Sequence, residues 1–140
     1  MRWPGQVKAD STSHALFSQV DLFASVAALT NQKLGENAAP DSFNELVAML
    51  GHSKEGGPYV IEHADSLAII ERDWKLIAPS NGPKVNQNTS TELGNDPAPQ
   101  LYNLHADPGE RNNVAGEQPK RVKTLTEFLN HVKAQPRTRE

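Results

Sequence analysis

The spacing of apolar residues first changes in this 140-residue chain at the stretch KEGGP, residues 54–58. Before it, apolar residues recur about every 3.6 residues, as in a helix, and after it they alternate with period 2, as in a strand. Because glycine and proline interrupt both kinds of element, this stretch predicts a domain boundary. We therefore expect a helical segment over 1–57, a sheet-containing domain over 58–135 and a frayed tail over 136–140.

The helical segment contains two predicted helices. Apolar residues recur at helical spacing in residues 18–29, and a shorter helix is predicted within residues 41–53. The residues expected at the helix ends are Ser18 or Asp21 as N-cap of the first, Ser42 with Glu45 as a capping box, and Gly51 as a left-handed C-terminal stop.

The second segment contains four predicted strands. They lie in PYVIEHA, SLAIIE, RDWKLIAP and QLYNL, with a tight turn near Arg72 and Asp73 and alternating apolar positions that can face one core. The imperfect alternation of the last strand favours a bulge or an edge position. Between the third and fourth strands, residues 79–99 show little pattern, and a loop of that length is usually functional or mobile.

A C-terminal amphipathic helix follows the strands. Asp107-Pro108-Gly109 ends the last strand, because proline fixes φ and removes a donor from the ladder. Pro119 suits the first turn of a helix. One apolar stripe then comprises Val122, Leu125, Phe128, Leu129 and Val132. The predicted fold class is therefore α+β, with an antiparallel sheet of about four strands packed against this helix.

The charge of the chain is unevenly distributed, with net −7 over residues 1–118 and net +4 over residues 119–140. The basic residues near the C-terminus are interpreted as one solvated helix face, because no aromatic residue is interleaved with them, and nucleic acid is not expected as a partner. No apolar run approaches the roughly 18–20 residues that span a bilayer, so no membrane partner is expected. The first ten residues lack the apolar core of a signal peptide.

Recognisable catalytic groups are missing from the sequence. There is no cysteine, no HExxH motif, no phosphate-binding glycine loop and no pair of histidines at i, i+4 spacing. We assign no catalytic and no metal-binding residue. His63 is the one candidate for a substrate rim, because it is expected at a strand end beside a loop at the sheet's edge, where an imidazole can hydrogen-bond an anionic group.

Taken together, several segments resemble the C-terminal part of the sulfatase family, in its arylsulfatase-like branch. RWPG resembles the segment just after the family's last active-site lysine, and SQVDLFASVAAL resembles a helix beginning Val-Asp-Leu. DSFNELVAMLG is similar to a Ser-Leu-Leu-x-Leu-Leu segment. The distinctive matches are AIIERDWKLI, similar to an Arg-x-Gly-Asp-Trp-Lys-Leu-Ile hairpin with Arg72 in place of glycine, and QLYNLHADPGERNNVA, similar to Glu-Leu-Tyr-Asn-Leu followed by Asp-Pro-x-Glu.

This resemblance implies that residues 1–57 are the helical end of an α/β catalytic domain and that residues 58–135 are the C-terminal subdomain. It further implies sulfuric ester hydrolysis by a parent enzyme that uses calcium and a formylglycine made from Cys-x-Pro-Ser-Arg, both encoded upstream. We therefore expect this chain to be inactive alone. The family suggests a periplasmic, secreted or lysosomal location for the parent.

Two functional hypotheses follow for the chain. In the first, it is a structural subdomain whose partner is the upstream catalytic domain, with His63 and residues 79–99 at the rim of the substrate pocket. This hypothesis predicts an exposed apolar patch, built from Val20, Leu22, Phe23 and Val26, and hence a homodimer or poor solubility of the isolated chain. The alternative is a free-standing glycan- or protein-binding or assembly module with a finished surface of its own.

Overall fold

The computed structural model describes residues 1–139, which fall into two compact units. Unit 1 comprises Met1–Pro58 and residues 135–139, and unit 2 comprises Tyr59–Ala134. The interpretation of the two segments as the end of a catalytic domain and a subdomain stays a prediction. No helix within residues 1–139 combines the length and the apolar character needed to cross a bilayer.

Unit 1 contains three short helical elements: a 3-10 turn Gln19–Asp21, helix α1 Leu22–Leu29 and helix α2 Leu46–Met49. Gly51 lies two residues after the end of helix α2, and its φ of +78° confirms the predicted left-handed stop. The amide of Gly51 donates to the Ala48 carbonyl (3.0 Å) and that of His52 to the Val47 carbonyl (2.9 Å), which is the Schellman arrangement.

The predicted capping box between Ser42 and Glu45 is wrong. The Ser42 hydroxyl, 2% exposed, instead accepts a hydrogen bond from the Ala24 amide in the first turn of α1 (2.8 Å). Glu45 precedes α2, and its amide donates to the hydroxyl of Ser25 (2.9 Å). The reason is tertiary, because the free amides of the α1 N-terminus lie beside Ser42 and need an acceptor.

Unit 2 is built on a four-stranded antiparallel sheet in the order β1-β2-β3-β6, so β6 is an edge strand, as predicted. A separate hairpin joins two further strands. The strands are β1 Val60–Ala64, β2 Ser66–Glu71, β3 Trp74–Ile77, β4 Val85–Asn86, β5 Thr91–Glu92 and β6 Gln100–Asn103. The α+β fold class with about four strands is therefore confirmed, and residues 79–99 differ from a patternless loop by containing the β4–β5 hairpin.

The core of unit 2 lies between one sheet face and helix α3, Pro119–Ala134. Ile69, Leu76 and Leu101 stand side by side across three strands, because they are register partners, and each is at most 1% exposed. Leu125 and Leu129 of α3 pack against them. Burial of this stripe confirms the predicted amphipathic helix, since apolar burial is what fixes a helix on a sheet.

Residues 137–139 of the tail make contacts with unit 1, and the frayed tail stays a prediction. The Arg137 guanidinium lies 3.3 Å from the Glu36 carboxylate, and the amides of Thr138 and Arg139 both donate to the Pro40 carbonyl. These contacts lie within unit 1, where the tail supplies donors to carbonyls of a loop. Residue 140 of the predicted tail lies outside the described residues.

Candidate functional site

The sheet of unit 2 has a second face, opposite α3, and this face carries a cleft of about 330 Å³. Side chains alternate across a strand, so positions 62, 75 and 102 point away from α3 while their neighbours form the core. The polar side chains that line the cleft are Glu62, Ser66, Lys75, Glu92, Gln100, Tyr102 and Glu110.

Lys75 is the central group of the cleft. Its ammonium lies 2.9 Å from the Glu62 carboxylate and 2.8 Å from the Glu110 carboxylate, and the lysine side chain is only 14% exposed. Burial by itself would lower the pKa of Lys75, but the hydrogen bonds to Glu110 and Glu62 outweigh it and raise that pKa. The lysine therefore stays protonated and ties β3 to β1 and to the loop after β6.

A short relay of hydrogen bonds also lines the cleft, beginning at Tyr102, the register partner of Lys75. The Tyr102 hydroxyl donates to the Gln100 side-chain carbonyl (2.8 Å), and the side-chain amide of Gln100 donates to the Gly94 backbone carbonyl (2.7 Å). Burial, followed by the nearby carboxylates of Glu110 and Glu92, raises the pKa of Tyr102. The relay holds the segment after the β4–β5 hairpin against the edge strand.

The charge of the cleft disfavours a sulfate ester. Three carboxylates, from Glu62, Glu92 and Glu110, surround the single ammonium of Lys75, which already makes two ion pairs. An anionic ligand would have to displace a carboxylate from the lysine and approach the remaining ones. The polar side chains of the cleft therefore pair with one another within unit 2, and their charges do not support sulfate binding.

His63, the predicted rim residue, does not line this cleft. It lies within β1, exposed, and pairs in register with Leu67, so its side chain is on the α3 side of the sheet. The predicted loop after it is a one-residue connection, because Asp65 adopts φ +69° and β2 begins at the next residue. Of the predicted rim segment 79–99, Glu92 and its two successors do line the cleft.

The cleft residues were missed in the sequence although a signal was present. Glu62 and Lys75 interrupt two apolar strands at positions that point away from the predicted core. Opposite charges on the same uncovered face of a sheet can pair, and here they do so across β2, which lies between β1 and β3. The third partner, Glu110, is 35 residues from Lys75 and follows no periodic pattern, so the fold alone brings it near.

Helix α1 in unit 1 is apolar on the side that faces away from the unit. Its small residues Ala24, Ser25 and Ala27 are buried, whereas its large ones are exposed. The exposed set comprises Val20 at 56%, Leu22 at 43%, Phe23 at 58%, Val26 at 48% and Leu29 at 44%. The predicted exposure of the apolar patch is therefore confirmed, and a groove of about 640 Å³ runs along it.

The resemblance implies calcium and formylglycine, so the chain would need a cluster of metal ligands and a cysteine to supply them. Within residues 1–139, no three His, Asp or Glu side chains come together as a metal site. The whole chain has no cysteine from which formylglycine could form. The residues of this chain therefore do not fit either group.

Two curated relatives match the chain in sequence. The N-acetylgalactosamine-6-O-sulfatase of Bacteroides thetaiotaomicron is 47% identical over 135 residues, which is 95% of this chain and 26% of that protein. Arylsulfatase G of Canis lupus familiaris is 30% identical over 118 residues, which is 77% of this chain and 22% of that protein. The chain thus spans about a quarter of the length of these relatives, and no family model matches it.

Solved structures share the fold of this chain. A 6S-sulfatase structure from work on glycosaminoglycan metabolism by Bacteroides thetaiotaomicron superposes with a TM-score of 0.88 at 47% identity. The superposition covers 96% of this chain and 28% of that one. Ps i-CgsB in complex with a neocarrahexaose gives a TM-score of 0.67 at 21% identity over 92% of this chain and 27% of that one, a likeness in fold alone.

Proposed function

We propose that this chain supports the catalytic part of a sulfuric ester hydrolase and performs no hydrolysis by itself. The premise is that the chain belongs to the sulfatase family and corresponds to the C-terminal part of its members. The observation that carries the proposal is the likeness over nearly the whole chain to about a quarter of a sulfatase. The remaining length of the relative is where the catalytic groups would lie.

Inactivity of the isolated chain is supported by the chemistry of its side chains. Cleavage of a sulfate ester needs a strong nucleophile and cationic groups around the developing negative charge. The cleft on the sheet offers one lysine, and that lysine is neutralised by two carboxylates within 2.9 Å. Calcium and formylglycine would have to come from the part of the parent enzyme outside this chain.

We further propose that His63 and residues 79–99 face the rim of the parent's substrate pocket. Two observations support this role. His63 is exposed on an edge strand, where a neighbouring body can reach it, and the β4–β5 hairpin projects exposed side chains from the same unit. Although residues 92–94 also line the cleft, we do not propose the cleft as the place where sulfate binds, since its charge disfavours sulfate.

The alternative, a free-standing glycan- or protein-binding module, is favoured by no particular observation. A module with a finished surface would cover large apolar side chains, whereas α1 exposes four of them on its outer side, and Val20, just before α1, is a fifth. Neither the cleft nor the groove presents a basic site for a sulfated glycan.

The proposal is tested by measuring sulfate release from an aryl sulfate and from N-acetylgalactosamine 6-sulfate. We expect the purified chain to match a buffer blank, and we expect release when it is co-expressed with the rest of the Bacteroides thetaiotaomicron relative as a separate polypeptide. Release by the chain alone contradicts the proposal, as does a complex that assembles without hydrolysing either ester. In the complex, His63→Ala should change the ratio of the two kcat/KM values, and an unchanged ratio contradicts the rim assignment.

A further inference from the structure

We propose that the outer face of α1 is the docking surface for the part of the sulfatase that precedes this chain in its relatives. We call this the α1 face and define it by Val20, Leu22, Phe23, Val26 and Leu29. The inference rests on the proposed function and deepens it, because it names the surface and the partner. Its evidence is the arrangement of side chains around one helix.

Helix α1 is inverted relative to a surface helix of a complete domain. Such a helix normally buries its large apolar side chains and exposes polar ones. Here the buried side holds Ala24, Ser25 and Ala27, and the large side chains Phe23 and Val26 are exposed by 58% and 48%. A helix that is apolar on all sides is typical of the interior of a larger body.

Among residues 1–139, no charged side chain lines the groove along the α1 face. Its lining is Gln19, Val20, Leu22, Phe23, Val26, Ala27, Thr30, Gln32 and Leu34, although 22% of the whole chain is charged. Depletion of charge at the centre of a contact, with polar groups at its margin, is typical of protein interfaces. A sulfated glycan or an anionic membrane surface would instead require Lys or Arg here, so the occupant is an apolar protein surface.

The α1 face is held in place by buried polar contacts on the other side of the helix. The Asp21 carboxylate accepts hydrogen bonds from the amides of Ser18 (2.9 Å) and Phe43 (2.9 Å). The hydroxyls of Ser42 and Ser25 accept backbone hydrogen bonds that link α1 to the following loop. Asp21, Ser25 and Ser42 are at most 2% exposed. A surface that is fixed before binding loses little conformational entropy when a partner docks.

The length relation identifies the occupant. This chain corresponds to 26% of the bacterial relative and the two are 47% identical, so a preceding body of roughly three times its size exists in that protein. A second copy of this chain is a weaker candidate, because it would leave that body without its contact. A stable homodimer that excludes the relative and binding to vesicles are accordingly outcomes that contradict the inference.

The test compares Val26→Asp with the control Val47→Asp, because the two valines are 48% and 56% exposed and only Val26 lies in the groove. Each variant is co-expressed with the tagged remainder of the Bacteroides thetaiotaomicron relative, and the captured chain is quantified. We expect Val26→Asp to reduce capture at least about tenfold and Val47→Asp to leave it within about twofold. Phe23→Ser, on the same face, should behave as Val26→Asp does.

The folded state of each variant is checked on the chain alone. Since Val26 is half exposed there, Val26→Asp should keep the wild-type circular dichroism and thermal midpoint and should self-associate less in sedimentation. Equal capture of the two Asp variants overturns the inference, and so does failure of the wild-type pair to assemble. A stable homodimer that excludes the relative, or binding of the chain to phosphatidylglycerol vesicles, also overturns it. Capture is scored independently of sulfate release, so an assembled but inactive pair contradicts the proposed function and leaves the docking surface standing.

Discussion

Lys75 shows how one side chain can organise a whole sheet face. It projects from β3 opposite Tyr102, away from the helix side, and reaches carboxylates on β1 and on the loop after β6. Removing it would leave Glu62 and Glu110 facing each other across a partly buried cleft. An uncompensated pair of like charges costs more than the ion pair contributes, so the lysine is expected to matter for stability.

We predict that Lys75→Met lowers the free energy of unfolding at pH 7 by about 1–2 kcal/mol, less than a fully buried pair would because the cleft is open to water. The folded-state pKa of Lys75 is raised, so its stabilising contribution is complete below the unfolded value of about 10.4 and is lost as the pH rises through the folded value. Urea unfolding from pH 7 to 11 should show the two proteins converging only above about pH 10.

The control for this prediction is Lys84→Met. Lys84 makes a 3.2 Å ion pair with Asp96, but its side chain is 72% exposed. Its replacement should change the stability by less than about 0.5 kcal/mol, since exposed ion pairs contribute little. An equal effect of the two substitutions would contradict the role assigned to the buried lysine.

At the scale of single elements, α1 depends on a loop that is distant in sequence. Ser42, 18 residues from Ala24, supplies the hydroxyl that accepts from the first turn of the helix. Two left-handed residues, Asn31 after α1 and Gly51 after α2, satisfy the last carbonyls of their helices locally. The N-terminus of α1 is therefore stabilised by tertiary contacts and its C-terminus by local ones.

We predict that Ser42→Ala destabilises unit 1 by about 1–2 kcal/mol, because a buried helix amide loses its acceptor. The matched control is Ser11→Ala, whose exposed hydroxyl donates to the Lys8 carbonyl (2.7 Å) and should matter by less than about 0.5 kcal/mol. Equilibrium unfolding followed by circular dichroism measures both. A neutral Ser42→Ala would show that water can replace the hydroxyl.

At the scale of the whole molecule, the two units differ in what they bury. The buried apolar residues of unit 1 are alanines at positions 24, 27 and 48, whereas unit 2 buries isoleucine, leucine, valine and tyrosine side chains. Stabilisation by burial scales with apolar area, at about 25 cal/mol per Å². Apolar burial therefore stabilises unit 1 less than unit 2. This agrees with the proposal that unit 1 packs against a larger body.

We predict that hydrogen exchange in the isolated chain separates the two units. Amides of α1 should exchange at least about tenfold faster than those of α3, a difference of about 1.4 kcal/mol in opening free energy. In the complex with the remainder of the relative, protection of α1 should rise towards that of α3. Equal protection of the two helices in the isolated chain would contradict the inequality of the cores.

Much of the fold was open to prediction because its causes act over a few residues. Gly51 stops α2, the strands before and after Arg72 alternate, and the stripe of α3 repeats at 3.6 residues, so each element is visible in a short window. Arg72 itself, at φ +52°, occupies a turn position whose left-handed backbone glycine adopts without strain. The exposed apolar face of α1 was also predictable, since its composition suits no solvated helix.

What only the tertiary structure decided are the contacts between residues far apart in sequence. The sequence predicts that Ser42 caps its own helix, but its hydroxyl instead accepts from the first turn of α1. Lys75 pairs with Glu110, which is 35 residues away, and His63 lies on the α3 side of the sheet. Local propensity and periodicity fix which elements form and which face is apolar. The partners of polar groups depend on which donors and acceptors the packed chain leaves unsatisfied, and that is determined only when all elements are in place.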